Sequence, residues 1–254
     1  MLKQIKDVVR KCGGIIKDAH INHIESKNDD MRNLVTEYDG KIENILKQEL
    51  LDIVPEAGFL GEEQEKNFKD KGYCFICDPI DGTTNFIKGL KHSAVSVALL
   101  YDGQPIIGVI YDPYLDEMFW AEKGKGAFLN KNAIHTTNVP LQNSLIVFGT
   151  SPYNKSLHNK TWNLAEKSLN MALDVRRNGA AVLDLTGVAL GRFGVYWELE
   201  TQPWDYAAGS LIVTEAGGEI RNFNNQKFEN YFQSSSIIAA ASQEHLDYFI
   251  RKIS

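Results

Sequence analysis

Cysteine is scarce: Cys12, Cys74 and Cys77 are the whole complement of a 254-residue chain. An odd, low count at this length excludes a disulfide framework. Cys74 and Cys77 do form a CxxC spacing, but no second pair completes a zinc site. They sit within the apolar run Tyr73-Cys74-Phe75-Ile76-Cys77, which reads as a buried strand rather than an exposed redox turn. No apolar stretch approaches the length of a membrane span. The opening Met1-Leu2-Lys3-Gln4-Ile5-Lys6 has neither an apolar signal core nor a cleavage-type site. A soluble, cytoplasmic protein with no membrane partner is expected. Excess positive charge is also missing. The formal net charge is −6, which argues against nucleic acid as a partner. It does not argue against a small phosphorylated substrate, because a bound metal can supply positive charge locally. The chain has no internal repeat, no low-complexity linker and no long charge run.

What is present is ordinary globular material. Hydrophobic residues make up 43% and charged residues 24%, enough for a sizeable core. Ile5, Val8, Val9, Cys12, Ile15, Ile16 and Ala19 recur at helical spacing. The polar segment from Glu25 to Asn33 reads as a loop, with Lys27 as a candidate shield for the site. A second helix is expected from about Asp39 to Leu51, ended by Pro55 and Gly58. From Tyr73 the texture turns to strands. Ala94 to Tyr101, Ile106 to Tyr111 and Glu117 to Ala121 form a meander punctuated by Asp102-Gly103 and Asp112-Pro113. Beyond Pro140 the spacing predicts a strand over 145–148, a helix over 157–171, a helix over 180–190, a strand over 195–197 and a helix over 204–215. Short strands and a last helix close the chain. Helices, an antiparallel block, then alternating β and α predict layered sheets and helices of the α/β (α+β) class. The halves would be residues 1–140 and 141–254.

The stretch Asp78-Pro79-Ile80-Asp81-Gly82-Thr83-Thr84-Asn85-Phe86 carries the chemistry. An apolar strand is expected to end at Cys77, with two carboxylates at its mouth. Pro79 cannot continue a ladder, and Gly82 permits a sharp turn. Asp81 or Gly82 would start a short helix whose free N–H groups face an anion. The segment thus offers hard oxygen ligands for Mg²⁺ and amide donors for phosphate. The alternative for this run is a plain turn with an Asp helix cap. Gly61-Glu62-Glu63 is a second acidic point and Asp39, otherwise a helix N-cap, a third. The fourth is Asp205 in Pro203-Trp204-Asp205-Tyr206-Ala207-Ala208-Gly209. There an acid opens a small, apolar helix and would need a cation or donors if buried. His20, His92 and His158 have no partner pattern.

The run from Asp78 to Phe86 resembles the first signature of the inositol monophosphatase family. Trp204-Asp205-Tyr206-Ala207-Ala208-Gly209, continuing to Glu215-Ala216-Gly217-Gly218, is similar to the second. Gly61-Glu62-Glu63, and Leu34-Val35-Thr36 with Asp39, match two further elements in family order, so the resemblance covers nearly the whole chain. It implies a layered αβαβα sandwich of the sugar-phosphatase type. It implies a homodimer that hydrolyses small phosphate monoesters, above all inositol 1-phosphate. Two or three Mg²⁺ would serve each site, Mn²⁺ as a substitute, with Li⁺ and Ca²⁺ inhibitory. By resemblance, Glu62, Asp78 and the Ile80 carbonyl hold the first metal. Asp78, Asp81 and Asp205 hold the second, and Glu62 helps with a third. Thr83 and Asp39 would pair to orient the attacking water. Gly82, Thr83 and Thr84 would face the phosphate, together with Asp81 and Asp205, while Gly179, Ala181 and Glu198 contact the polyol.

Three positions depart from the family pattern. Lys88 stands where His is common, Gly194 where Asp is frequent, and Ala180 where a hydroxyl residue is usual. No proposed ligand is lost, so these bear on the substrate rather than the reaction. The same chemistry on fructose 1,6-bisphosphate, histidinol phosphate or NADP is the alternative. A non-catalytic regulatory binding protein is a remoter one.

Overall fold

A computed structural model describes residues 1–21, 24–26, 34–63 and 71–253. The helices are α1 (Leu2–Lys17), α2 (Glu37–Ile53), α3 (Thr83–Ile87), α4 (His158–Leu169), α5 (Ala181–Ala189), α6 (Pro203–Glu215) and α7 (Gln243–Ile253). A short hairpin pairs β1 (Ile24–Ser26) with β2 (Leu34–Thr36). The expected loop from Glu25 thus begins within β1, and Lys27 with residues 28–33 lies outside the described residues.

Alternation along the strands builds the layers. The larger sheet runs in the order β3 (Gly58–Gly61), β4 (Tyr73–Asp81), β5 (Ala94–Tyr101), β6 (Gln104–Asp112), β7 (Glu117–Glu122), β8 (Ala127–Leu129), β9 (Asn132–Ile134). Successive side chains point to opposite faces. Phe75, Val95, Val97, Leu99 and Val109 therefore pack on α1 and α2, burying Ile5, Val9, Ile42 and Leu46. Cys74, Ile76, Ala98, Leu100 and Ile110 face the other way, onto α5 and α6. The smaller sheet has the order β11 (Asp174–Arg176), β10 (Leu145–Phe148), β12 (Val195–Thr201), β14 (Ser235–Ala240), β13 (Glu219–Arg221). Val147, Tyr196 and Ala239 share the α5–α6 core. Ile146, Phe148, Trp197 and Ile238 face α4 and α7 with Leu164, Leu246 and Phe249. The order is helices, sheet, helices, sheet, helices: the expected αβαβα sandwich.

The central helices set how closely the layers meet. A Cβ on Gly108 would lie 2.7 Å from the Ala208 carbonyl oxygen. Glycine there, opposite the small residues of α6, lets helix and sheet touch backbone to backbone. Helices from the second half of the chain therefore rest on the first half's sheet, and one core joins both.

Several boundaries differ from expectation. Helix α2 starts two residues early because Thr36, not Asp39, is its N-cap. Tyr38 N–H donates to Thr36 Oγ1 at 3.2 Å. Strand β4 does not stop at Cys77 but continues to Asp81. Strands β3, β8, β9 and β11 carried too few residues for alternation to show. The three cysteines are free and buried, as the strand reading of Cys74 and Cys77 required. No described helix is long and apolar enough to cross a membrane.

Candidate active site

The site begins with an irregularity in β4. Asp78 pairs with Ser96 and Asp81 with Ala94, so three steps on β4 match two on β5. Residues three apart on a regular strand face opposite sides; one inserted residue brings them to the same side. Pro79, which lacks a ladder N–H, lies within that bulge. Asp78 Oδ1 accepts from the Ile80 N–H at 2.9 Å, stiffening the turn. Gly82 follows at φ +81°, a left-handed conformation, as the N-cap of α3. A Cβ there would lie 3.0 Å from the His92 carbonyl oxygen and 3.1 Å from the Ala180 Cβ. The departure at Ala180 thus lies against the Gly82 turn.

Two helix N-termini complete the cluster. Asp81 accepts from the Ala181 and Val182 N–H groups, both at 3.2 Å, so its carboxylate caps α5. Asp205 lies at the third position of α6, and its Oδ2 accepts from the Gln202 N–H at 2.7 Å. It therefore closes a capping box and lines the cavity as well. Asp78, Asp81 and Asp205 each offer an oxygen, and these lie within 4.8 Å of one another.

The electrostatics test whether a cation belongs there. Burial holds the Asp78 carboxyl well above the usual carboxylate range, with the charges of Glu62, Asp81, Asp205 and Asp39 adding to it. Burial raises Asp81 likewise, Asp205 reinforcing and the α5 amides opposing. Asp205 is raised by burial, and by Glu62 and Glu198. Carboxylates this close repel one another unless protonated or bridged by positive charge. An all-oxygen set suits a hard divalent cation. The residues present fit a metal.

The cavity has a volume of about 420 Å³, within the range of small-molecule sites. Its wall holds Glu62, Asp78, Ile80, Asp81, Gly82, Thr83, Thr84, Gly179, Ala181, Glu198 and Asp205, every expected site residue but one. The exception is Asp39. It is buried, and its Oδ2 accepts from the Thr36 N–H at 2.8 Å and from the Thr36 hydroxyl at 2.6 Å. The Thr83 hydroxyl donates instead to the Ile80 carbonyl at 3.0 Å. The expected Thr83–Asp39 pair is thus not made among the described residues, since each group has a nearer partner on its own turn.

Glu198 is held from two sides. Its Oε1 accepts from the Ser151 N–H at 2.7 Å, and its Oε2 from the Tyr196 hydroxyl at 2.8 Å. Burial raises its pKa, against those hydrogen bonds and the charge of Arg177. Asp184, on the same wall, is pushed up to about 8, chiefly by burial. Asp184, Arg177, Gly149 and Gln202 also line the wall, and no motif in the sequence marks them. Arg177 stands two residues before Gly179, so its place in the chain was the one available signal.

Fold and cavity together define an acidic site, with an oxygen set suited to a divalent cation, between two stacked sheets. The whole chain, residues 1–254, matches the profile of the inositol monophosphatase family, a metal-dependent group, and the chain belongs to that family. It is 35% identical over 245 residues to an inositol-1-monophosphatase of Caulobacter vibrioides, covering 94% of this chain and 95% of that one. It is 33% identical over 243 residues to the Nus factor SuhB of Escherichia coli, covering 94% and 90%. Among solved structures, the extragenic suppressor protein suhB of Bartonella henselae superposes with a TM-score of 0.89 at 32% identity, covering 99% of this chain and 97% of that one.

Proposed function

We propose that the protein hydrolyses the phosphate ester of a small polyol, with myo-inositol 1-phosphate as the leading substrate and Mg²⁺ as the cofactor. The observation that carries this is the triad Asp78, Asp81 and Asp205, within 4.8 Å, beside the Gly82–Thr83 turn. Mg²⁺ held by that triad, with Glu62 and the Ile80 carbonyl, would supply charge to activate water and to offset the transferred phosphoryl group. The chain's own groups bind and orient. Gly82 and Thr83 offer amides to the phosphate. Thr83 Oγ1 would orient the water once its hydroxyl turns from the Ile80 carbonyl to Asp39 as acceptor. Glu198, fixed by Ser151 and Tyr196, accepts a hydrogen bond from a substrate hydroxyl. The same reading carries Mn²⁺ as a substitute, Li⁺ and Ca²⁺ as inhibitors, and a homodimer.

The test is phosphate release from myo-inositol 1-phosphate with Mg²⁺. Asp81→Asn is expected to lower kcat by 100-fold or more; full activity in that variant would sink the ligand assignment. A panel including fructose 1,6-bisphosphate, histidinol phosphate and NADP, ranked by kcat/KM, identifies the preferred ester. The Nus factor name borne by several relatives favours a second reading, a regulatory binding protein. No turnover of any ester, alongside tight binding of a macromolecule, would select it.

A further inference from the structure

Asn85 is the third residue of α3, which begins at the Gly82–Thr83 turn. It is buried, and it does not line the cavity. Its carboxamide nitrogen donates twice, to the His92 carbonyl and to the Asn178 carbonyl, both at 2.9 Å. Two carbonyl acceptors settle which way the amide faces. Among short side chains only asparagine carries two donors on one nitrogen. An aspartate would turn oxygen toward both carbonyls, and a serine would supply a single donor.

Those two carbonyls belong to the segments that enclose Gly82. A Cβ on Gly82 would lie 3.0 Å from the His92 oxygen and 3.2 Å from the Gly179 oxygen. The first is the atom that Asn85 holds, and the second is one residue beyond the other atom it holds. His92 leads into β5, whose Ala94 pairs with Asp81. Asn178 leads to Ala180, the N-cap of α5, whose first amides hold the Asp81 carboxylate. The Asn178 side chain also donates to Asp184 on the cavity wall, at 2.7 Å. Three segments remote in sequence therefore meet on one carboxamide. The next residue, Phe86, is packed in the core with α1 and α2, so α3 has an anchor that does not depend on Asn85.

We infer that Asn85 is a positioning residue for phosphoryl transfer: by tying the His92 and Asn178 carbonyls together, it fixes the Gly82 and Thr83 amides where they would meet the transferred phosphate. This rests on the phosphatase reading above and deepens it. Asn85 acts through the turn and touches neither substrate nor metal. Donors aimed at a phosphoryl group contribute through preset geometry, and small displacements cost rate.

The experiment uses two variants. Asn85→Leu keeps the approximate shape and removes both donors, and Asn85→Ser leaves one. With myo-inositol 1-phosphate and saturating Mg²⁺, Asn85→Leu is expected to lower kcat/KM by about 100-fold, and Asn85→Ser by about 10-fold. The inhibition constant of inorganic phosphate should rise by about 10-fold in Asn85→Leu, with the Mg²⁺ midpoint within about threefold of wild type. A lower melting temperature with wild-type kcat/KM and a wild-type phosphate constant would show a merely structural role and overturn the inference. A raised Mg²⁺ midpoint with an unchanged phosphate constant would place the effect on Asp81 and overturn it too. If Asn85→Leu does not fold, Asn85→Ser carries the same test. If the wild-type protein turns over no ester, the phosphatase reading fails. Calorimetric titration of inorganic phosphate, with Mg²⁺, into wild type and Asn85→Ser then decides the positioning role by itself. Weaker binding by the variant upholds it, and equal binding, or none by wild type, overturns it.

Discussion

The carboxylate of Glu43, fully buried on α2, occupies the space where a Cβ on Gly61 would stand. Its Oε2 accepts from the Glu63 N–H at 2.9 Å. A helix side chain therefore pins the end of β3 at the residue after Glu62, which is on the cavity wall. Glu43 positions that acidic turn without touching the cavity itself.

Gly61→Ala should expel the Glu43 carboxylate from this pocket and strip the Glu63 N–H of its acceptor. Overpacking at such a site costs about 1–3 kcal/mol. A loss of 10-fold or more in Mg²⁺-dependent phosphate release is expected, with a higher Mg²⁺ requirement. Glu43→Gln keeps the shape and one acceptor oxygen, so its loss should be smaller. Wild-type activity and an unshifted Mg²⁺ midpoint in Gly61→Ala would refute the positioning role.

The acidic triad should make the metal-free protein less stable than its fold warrants. Mg²⁺ at about 100 times its Kd stabilises by about 2.7 kcal/mol, which for a chain of this length raises Tm by roughly 5–10 °C. Asp78→Asn relieves repulsion, so in EDTA it should melt at or above the wild-type temperature. It should also lose the Mg²⁺ shift and the activity. Thermal melts with EDTA and with Mg²⁺ provide the check, and a wild-type Mg²⁺ shift in Asp78→Asn would contradict the triad.

Asp184 supplies a pH dependence whose sign follows from its environment. Its carboxyl is raised from 3.8 to about 8 in the folded protein. Between those values the folded state holds a proton that the unfolded chain has released. Its contribution to stability is therefore full at low pH and lost as pH rises through about 8. Asp184→Asn removes the titration, and the new amide oxygen can still accept from Asn178, which now donates at 2.7 Å. In EDTA at pH 8.5 the variant should exceed wild type by about 1–3 kcal/mol, and by less at pH 5. Denaturation curves with the same pH slope for both proteins would show that Asp184 is not the source.

Gly149 stands to Glu198 as Gly61 does to Glu43: a Cβ would overlap the carboxylate. Gly149→Ala should turn Glu198 away from Ser151 and Tyr196, disturbing the substrate rather than the metals. A rise in KM for myo-inositol 1-phosphate of about 10-fold is expected, with kcat within about threefold. A fall in kcat at constant KM would move Glu198 from the substrate to the reaction.

Much of this site was legible in the sequence because its signals are local. The carboxylates of the Asp78–Asp81 run, the left-handed Gly82 and the Pro-Trp-Asp start of α6 each depend on a few neighbouring residues. The bulge in β4 was not legible. Pro79 announced a break in the ladder, and the reading ended the strand there. Whether a strand stops or bulges depends on the partner strand, here on Ala94 and Ser96 of β5. Capping is the alternative role that the sequence offers Asp39, because Asp is a good cap. Thr36 took that place, and Asp39 became the reciprocal member of the box.

The sequence alone determined the ingredients: where helices start, which faces are apolar, and that oxygen ligands cluster near a turn. These follow from backbone preferences and from period, which act over a few residues. Tertiary structure decided which ingredients meet. It set Asp81 on the N-terminus of α5 and brought Asp205 to the same cavity. It also brought Arg177 to the wall of that cavity. Those contacts join residues far apart in the chain, and they are fixed by the close approach of small residues between stacked layers, which no local signal encodes.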